Sequence, residues 1–327
     1  MKIIHAPTEI AGQMEILCQS LKKLEVTANG YNWFHNYLNF GDQLVKTDAY
    51  ELAKMLDPLL QYCDIFHFHN GNSLYLQNKD LPLIHQAGKK MIMHHWGNDV
   101  RKAAMVSKLN PYPLPPSYLT DEQIHERLLY LSKYIEHAIV QDYETFPYVK
   151  DYYAQVHVLP LACHVERFPV RFPEEKVRIP KIIHAPTNQA FKGSEFVEKA
   201  INDLKKQYRF EYIRVEKMSH AEALQAYASA DIIVDQILCG SYGMLSVEAM
   251  SMGKVVVAYI RDDVLKHNPV APPIVNANPD NMKEVLSDLL KQPEQLRKIG
   301  KKSRAYVKKV HDAEMIARQL VQIYSKL

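Results

Sequence analysis

At 327 residues the chain exceeds what one hydrophobic core usually serves, so two domains are expected. Hydrophobic residues make up 47% and charged residues 24%, with 11 Gly and 18 Pro, which excludes low-complexity and collagen-like classes. The net charge of +3 is unevenly divided: residues 1–165 carry 14 Lys and Arg against 17 Asp and Glu, and residues 166–327 carry 26 against 20. A basic second half suits an anionic ligand such as a nucleotide phosphate. The cations Lys298, Lys301, Lys302, Arg304, Lys308 and Lys309 follow helical spacing without interleaved aromatics, so nucleic acid is not implied. Cys18, Cys63, Cys163 and Cys239 form no CxxC pair, which argues against a metal finger or a disulfide framework. No signal-like start and no apolar run of membrane length is seen, so a cytoplasmic protein is expected.

In chain order, residues 2–8 read KIIHAPT, a short β-branched strand closed by Pro and Thr. A polar loop with Gly12 and an amphipathic helical stretch, MEILCQSLKKL, follow. Buried strands are predicted at 64–69, 90–94, 137–140 and 155–159, with helices at 50–60 and 121–133. The irregular stretch 101–120, centred on NPYPLPPSY, reads as a loop or lid on the first domain. Such a segment can line an acceptor groove or touch a membrane surface, but an ordered surface loop is the plainer reading and no membrane contact is indicated. Residues 166–180, with three prolines and no apolar period, read as a linker.

Residues 181–187 then repeat KIIHAPT, again followed by a polar loop and a helical stretch, SEFVEKAINDLKKQ. Strands are predicted at 210–215, 232–235, 255–259 and 273–275, with helices at 220–229, 245–252, 281–291, 294–310 and 313–327. Two such openings half a chain apart imply two similar α/β domains with parallel sheets covered on both faces. The expected boundaries are 1–165, the linker 166–180, 181–310, and a final helical segment 311–327.

Ligands of open parallel sheets bind beyond the carboxyl ends of the strands, so the βα loops are the candidate sites. DQILCGSYGMLSVEAMSMG (235–253) runs from a strand through Gly240, Ser241, Tyr242 and Gly243 into a helix carrying Glu248. Backbone N–H groups at such a turn suit an anion. The loop 187–193 carries Asn188, Gln189, Lys192 and Gly193, and Lys192 is its one cation. The first half offers Gly12, then His67, His69 and Asn70, then His94, His95, Asp99 and Arg101. His67 and His69 share a strand face, but no third ligand has suitable spacing and no metal is expected. Asp99 and Arg101 are close enough in sequence to pair with each other.

These segments together resemble the GT-B glycosyltransferases, specifically family 4 of nucleotide-sugar-dependent enzymes, over essentially the whole chain. HAPTNQAFKG looks like that family's phosphate loop, EAMSMGKVVVAY its "EAMAxGxPVV" signature and HHWGNDVR its "HxxGxDxR" loop. VHVLPLACHVERF is similar to its "LPNGVD…RF" segment, and VEKMSHAEALQAYASADIIVDQ to the stretch that cups the base. The resemblance implies two Rossmann-like domains facing each other across a cleft, with the last helix returning to the first. It implies a sugar transferred from a nucleotide diphosphate, UDP- or GDP-linked, to a hydroxyl of a glycan or small-molecule acceptor, with retention, in cell-surface or other glycan synthesis. The enzyme would be of hexosyltransferase type and need neither metal nor cofactor. By position, Lys192, Glu248 and His95 would be catalytic. Asn188, Gln189, Gly193, Met218, Gly240, Ser241, Tyr242 and Gly243 would bind the donor. Gly12, His94, Asp99 and Arg101 would face the acceptor. Two positions depart from the family: Gly240 replaces the first of its paired glutamates, and Asn188 and Gln189 stand where a basic residue commonly precedes Lys-Gly. The departures leave two alternatives open, a non-catalytic nucleotide- or glycan-binding protein and a sugar-nucleotide epimerase.

Overall fold

The computed structural model describes residues 1–34, 41–175 and 179–327. It divides into two compact units, of which the first comprises Met1–Val106, Pro116–Ala162 and Ala313–Leu327, and the second Ser107–Pro115 and Cys163–Asp312.

The first unit holds a seven-stranded sheet of β1 (Lys2–Ala6), β2 (Thr27–Asn32), β3 (Val45–Lys46), β4 (Ile65–His69), β5 (Lys90–His95), β6 (His137–Val140) and β7 (Gln155–Val158). Every pairing is parallel, in the order β3-β2-β1-β4-β5-β6-β7. The second unit holds β8 (Lys181–His184), β9 (Glu211–Arg214), β10 (Ile232–Val234), β11 (Val255–Ala258) and β12 (Val275–Asn276), also parallel, in the order β12-β11-β10-β8-β9. The central strands β4, β10 and β11 are buried along their whole length, and β10 and β11 accordingly read as unbroken apolar runs, while β4 alternates Ile and Phe with His67 and His69.

In the first unit, Ile3, Ile65, Ile92 and Ile139 line one sheet face and pack against Leu17 and Leu21 of the helix Gln13–Lys23 and Ile316 and Leu320 of the helix Ala313–Tyr324. The final helix therefore completes the core of the first unit. In the second unit Ile182, Ile232, Val234, Val255 and Val257 pack against the helices Ser194–Leu204 and Met282–Lys291.

Two sequence expectations differ. The predicted helix over 50–60 is two helices, Ala49–Lys54 and Leu56–Tyr62, broken at Met55. The Pro-rich stretch was read as part of the first domain, yet Ser107–Pro115 packs with the second unit. Tyr112 explains this: its ring meets Tyr259 edge-on and its hydroxyl donates to Asp280 at 2.6 Å, while Asn110 donates to the Leu238 carbonyl at 2.7 Å.

Candidate functional site

In the second unit the candidate residues gather where the parallel strands end. Asn188 caps the short helix Gln189–Lys192 by accepting the Phe191 N–H at 3.0 Å. Gly193 then takes a left-handed φ of 73° and starts the helix Ser194–Leu204 at once. A Cβ there would come within 2.7 Å of Ile237, so both the conformation and the space demand glycine.

This turn aims Lys192 back at the end of β10, where its ammonium donates to Asp235 at 2.5 Å and to Gln236 at 2.9 Å. The fully buried Asp235 carboxylate also accepts the Ser246 hydroxyl at 2.6 Å and the Gly243 N–H at 3.2 Å. Burial alone would raise the Asp235 carboxyl, but the Lys192 charge and these hydrogen bonds outweigh it and hold it below its ordinary value. Gln236 in turn donates to the Ser241 carbonyl at 2.5 Å, fixing the loop that follows. The Gly243 N–H that begins the helix Met244–Ser251 is thus given to an internal carboxylate.

Glu248, nearly buried, accepts from His220 at 2.6 Å. Tyr242 turns its hydroxyl to Tyr306 at 2.8 Å and His311 at 3.0 Å. Gly240 adopts a φ of 88°, and a Cβ there would lie 2.5 Å from the Arg261 side chain. The absence of a glutamate at 240 is therefore built into the packing. Gln189 donates to Glu216 at 2.7 Å, and Glu216 also takes Arg214 at 2.6 Å. The Arg214 hydrogen bond holds the Glu216 carboxyl below its ordinary value. Met218 is 38% exposed. Arg214, Gln189 and Gly193 also line a cavity of about 700 Å³ beneath residues 112–115.

In the first unit Gly12 opens the helix Gln13–Lys23 with a φ of 78°. Before it, the buried Glu9 carboxylate accepts the N–H groups of Met14 at 3.2 Å and Glu15 at 2.9 Å. Burial pushes Glu9 up to about 8 despite those bonds. Asp99 and Arg101 do not pair with each other. Asp99 accepts from His95 at 2.6 Å and from the N–H groups of Trp96 and Gly97, whereas Arg101 grips the buried Glu144. Burial would raise Asp99, but His95, Arg127 and the backbone donors bring it below its ordinary value. The other nitrogen of His95 meets the Tyr153 hydroxyl at 2.8 Å, so both of its nitrogens are engaged within the protein.

Strand register assembles a further group. His5 pairs with His67 and His69 with His94 across neighbouring parallel strands, so four imidazoles share the sheet face of Ile3, Ile65 and Ile92. All four are buried, which drives their basicity down: His5 to about 3, and His67, His69 and His94 well below the ordinary value, with neighbouring imidazoles adding to the effect. Tyr324 of the final helix bridges His67 at 2.6 Å and His5 at 3.1 Å.

No protein-family model matches the sequence, and no curated relative matches it. Solved structures do. A sucrose-phosphate synthase from Thermosynechococcus elongatus aligns over 100% of this chain and 99% of its own, at a TM-score of 0.65 and 13% identity. The Anabaena protein HepE in complex with UDP-glucose aligns over 100% of both chains at 0.66 and 12%. A glycosyltransferase from Rickettsia africae aligns over 99% and 97% at 0.65 and 13%. The fold is GT-B.

Within this GT-B chain, sequence reasoning missed the partners that hold the candidate residues. Asp235 appeared only as a strand end, yet it anchors Lys192. His220 and Glu144 lie 28 and 43 residues from Glu248 and Arg101, Arg214 reaches Gln189 only through Glu216, and nothing in the local pattern marks them. His5 supplies what the pair His67 and His69 lacked, and the signal was its place in β1: the residue that pairs across to His67 shares its face.

Proposed function

We propose that the protein transfers a glycosyl group from a nucleotide diphosphate sugar to an acceptor hydroxyl. The observation that carries this reading is Lys192, held at the carboxyl end of a parallel sheet beside the start of the helix Met244–Ser251. Two of the three ammonium protons engage Asp235 and Gln236, which leaves one to donate to a diphosphate oxygen. Asp235 and Gln236 act here as positioning residues. Glycosyl transfer develops positive charge on the sugar and negative charge on the departing diphosphate, so a cation fixed in advance lowers the barrier. Glu248, oriented by His220, would take a ribose hydroxyl, with Ser241, Tyr242 and Gly243 lining the phosphates and Met218 near the base. Arg214 brings a cation to Glu216, the partner of Gln189, where this chain lacks the basic residue of the family pattern.

On the acceptor side we place Gly12, His94, Asp99 and Arg101, with Asp99 held by His95 and Arg101 by Glu144. HepE bound to UDP and to UDP-glucose favours a uridine donor. A hexosyl group, a metal-free transfer with retention, a role in glycan synthesis and a cytoplasmic setting complete the proposal. Among the described residues no helix is long and apolar enough to cross a membrane.

One observation favours binding without transfer as a second reading: Asp235 already compensates the Lys192 charge and takes the Gly243 N–H. Calorimetric titration of UDP, GDP, ADP and TDP with EDTA present tests the main reading. UDP should bind, and Lys192→Ala should weaken it by about 1–3 kcal/mol, as for a lost charged hydrogen bond. If no nucleotide binds, the proposal fails. If UDP binds but no UDP-sugar is consumed with any acceptor tried, binding without transfer replaces it.

A further inference from the structure

We propose that His5, His67, His69 and His94 form a binding site for a late first-row divalent cation of the zinc type. The site lies in the first unit and stands independently of the glycosyl-transfer reading. One nitrogen from each of His5, His67 and His69 lies within 4.8 Å of the others. The nitrogens meet in two close pairs, His5 Nδ1 with His69 Nε2 at 3.1 Å and His67 Nε2 with His94 Nδ1 at 3.3 Å. Two imidazole nitrogens sharing one tetrahedral zinc at its usual bond length of about 2.0–2.1 Å stand about 3.3 Å apart. The set is all imidazole, which suits zinc, copper, nickel and cobalt, and does not suit magnesium or calcium.

Proton positions explain how one arrangement serves with and without the ion. His69, His5, Tyr324, His67 and His94 form a chain of five groups joined by four hydrogen bonds. Neutral, they carry five protons, so one proton falls on an end of the chain. The ends are His69 Nδ1 and His94 Nε2, both buried and both without a partner. With every imidazole proton moved outward, His5 and His67 both donate to the Tyr324 oxygen, which has two lone pairs for them, and the fifth proton, on Tyr324, turns out of the chain. His69 and His94 then carry their protons on the end nitrogens. Lone pairs are then free on His5 Nδ1, His67 Nε2 and His69 Nε2 of the mutually close group, with that of His94 Nδ1 beside His67. Tyr324 serves as the outer partner that fixes the two tautomers, as such partners do for metal-bound histidines generally. Trp96 stacks on His94 with ring centroids 3.9 Å apart and helps to hold that ring in place.

The experiment uses the full-length, untagged protein, stripped with chelator and dialysed against Zn(II) or Co(II). About one equivalent should stay with the folded chain through gel filtration and raise its Tm. X-ray absorption on the loaded wild type should show three or four imidazole ligands. His67→Gln and His69→Gln should each lose the ion. The part-buried pair His137 and His157, 3.0 Å apart on neighbouring strands, is the control, and the double variant His137→Gln, His157→Gln should keep the ion. A folded wild type that takes up neither ion overturns the proposal. So does metal that follows His137 and His157, or an absorption spectrum with two imidazoles or fewer, which decides the matter even if the cluster variants do not fold. The nucleotide titration is run in EDTA, so failure of one proposal leaves the other standing.

Discussion

The two KIIHAPT segments carry the same seven residues to two different ends. In the first, His5 enters a chain of imidazoles and a phenol in which either ring nitrogen can hold the proton. In the second, His184 has no such freedom. Its Nδ1 faces the Val234 carbonyl at 3.0 Å, which can only accept, so the proton sits there and Nε2 accepts from Ser194 at 2.8 Å. The loops that follow diverge in the same way. The first loop holds a buried carboxylate, Glu9, that takes two N–H groups at the start of a helix, whereas the second sends Lys192 to a buried carboxylate at the end of β10, Asp235, that takes the Gly243 N–H at the start of another. Among the described residues Glu9 has no cation beside it, and burial raises it to about 8. Asp235 has Lys192, and stays below its ordinary value. Two buried carboxylates at helix starts therefore have opposite proton affinities, and the largest difference between them is the Lys192 ammonium, with the Ser246 hydroxyl adding to it.

The largest expected effect follows from that group. Asp235→Ala leaves Lys192 and the Ser246 hydroxyl without their partner and should cost about 3–5 kcal/mol in denaturant unfolding. A loss below about 1 kcal/mol would place Asp235 with ordinary surface pairs and end the comparison.

The second effect is one of sign. Folded Glu9 holds a proton up to about pH 8, while the unfolded chain releases it near the ordinary value of 4.5. Its contribution is therefore fully present below about pH 4.5 and is lost as pH rises towards 8, at up to about 1.4 kcal/mol per pH unit. Asp235 works the other way, present above the ordinary carboxyl value of 3.8 and lost as pH falls below it. Stability measured at pH 5, 6.5 and 8 should thus show a shallower decline for Glu9→Gln than for wild type. Parallel profiles would mean that Glu9 is ionised in the fold.

The smallest effect tests the fixed proton of His184. The amide of asparagine can stand in for Nδ1–H, so His184→Asn should be more stable than His184→Gln by about 1 kcal/mol, one hydrogen bond. Equal losses in thermal unfolding would show that the Val234 contact contributes nothing.

Much of the fold was legible because the buried strands are apolar runs and the repeat announces a second domain. What escaped was β2, the segment TANGYN, whose polar residues alternate with buried ones and whose strand character comes from pairing beside β1. At the candidate site the loop residues were legible, since Gly193 and Gly240 mark left-handed turns that other residues rarely adopt. Their partners were not, because Lys192 meets Asp235 across 43 residues and Arg101 meets Glu144 across the same interval. Only the fold brings those charges together, and local spacing holds no trace of it.

The chain also leaves each unit and comes back. Ser107–Pro115 departs from the first to pack in the second, and Ala313–Leu327 returns from the second to the first. A gene cut at the Pro-rich linker would yield two incomplete halves. The N-terminal product would lack Ile316, Leu320 and the Tyr324 hydroxyl, leaving one wall of its core open and its imidazole chain broken in the middle. The C-terminal product would lack Tyr112 and Asn110, which cover Tyr259 and the Leu238 carbonyl. Modular swapping of halves between relatives therefore has to carry these two short segments with the unit they pack in, not with their neighbours in sequence.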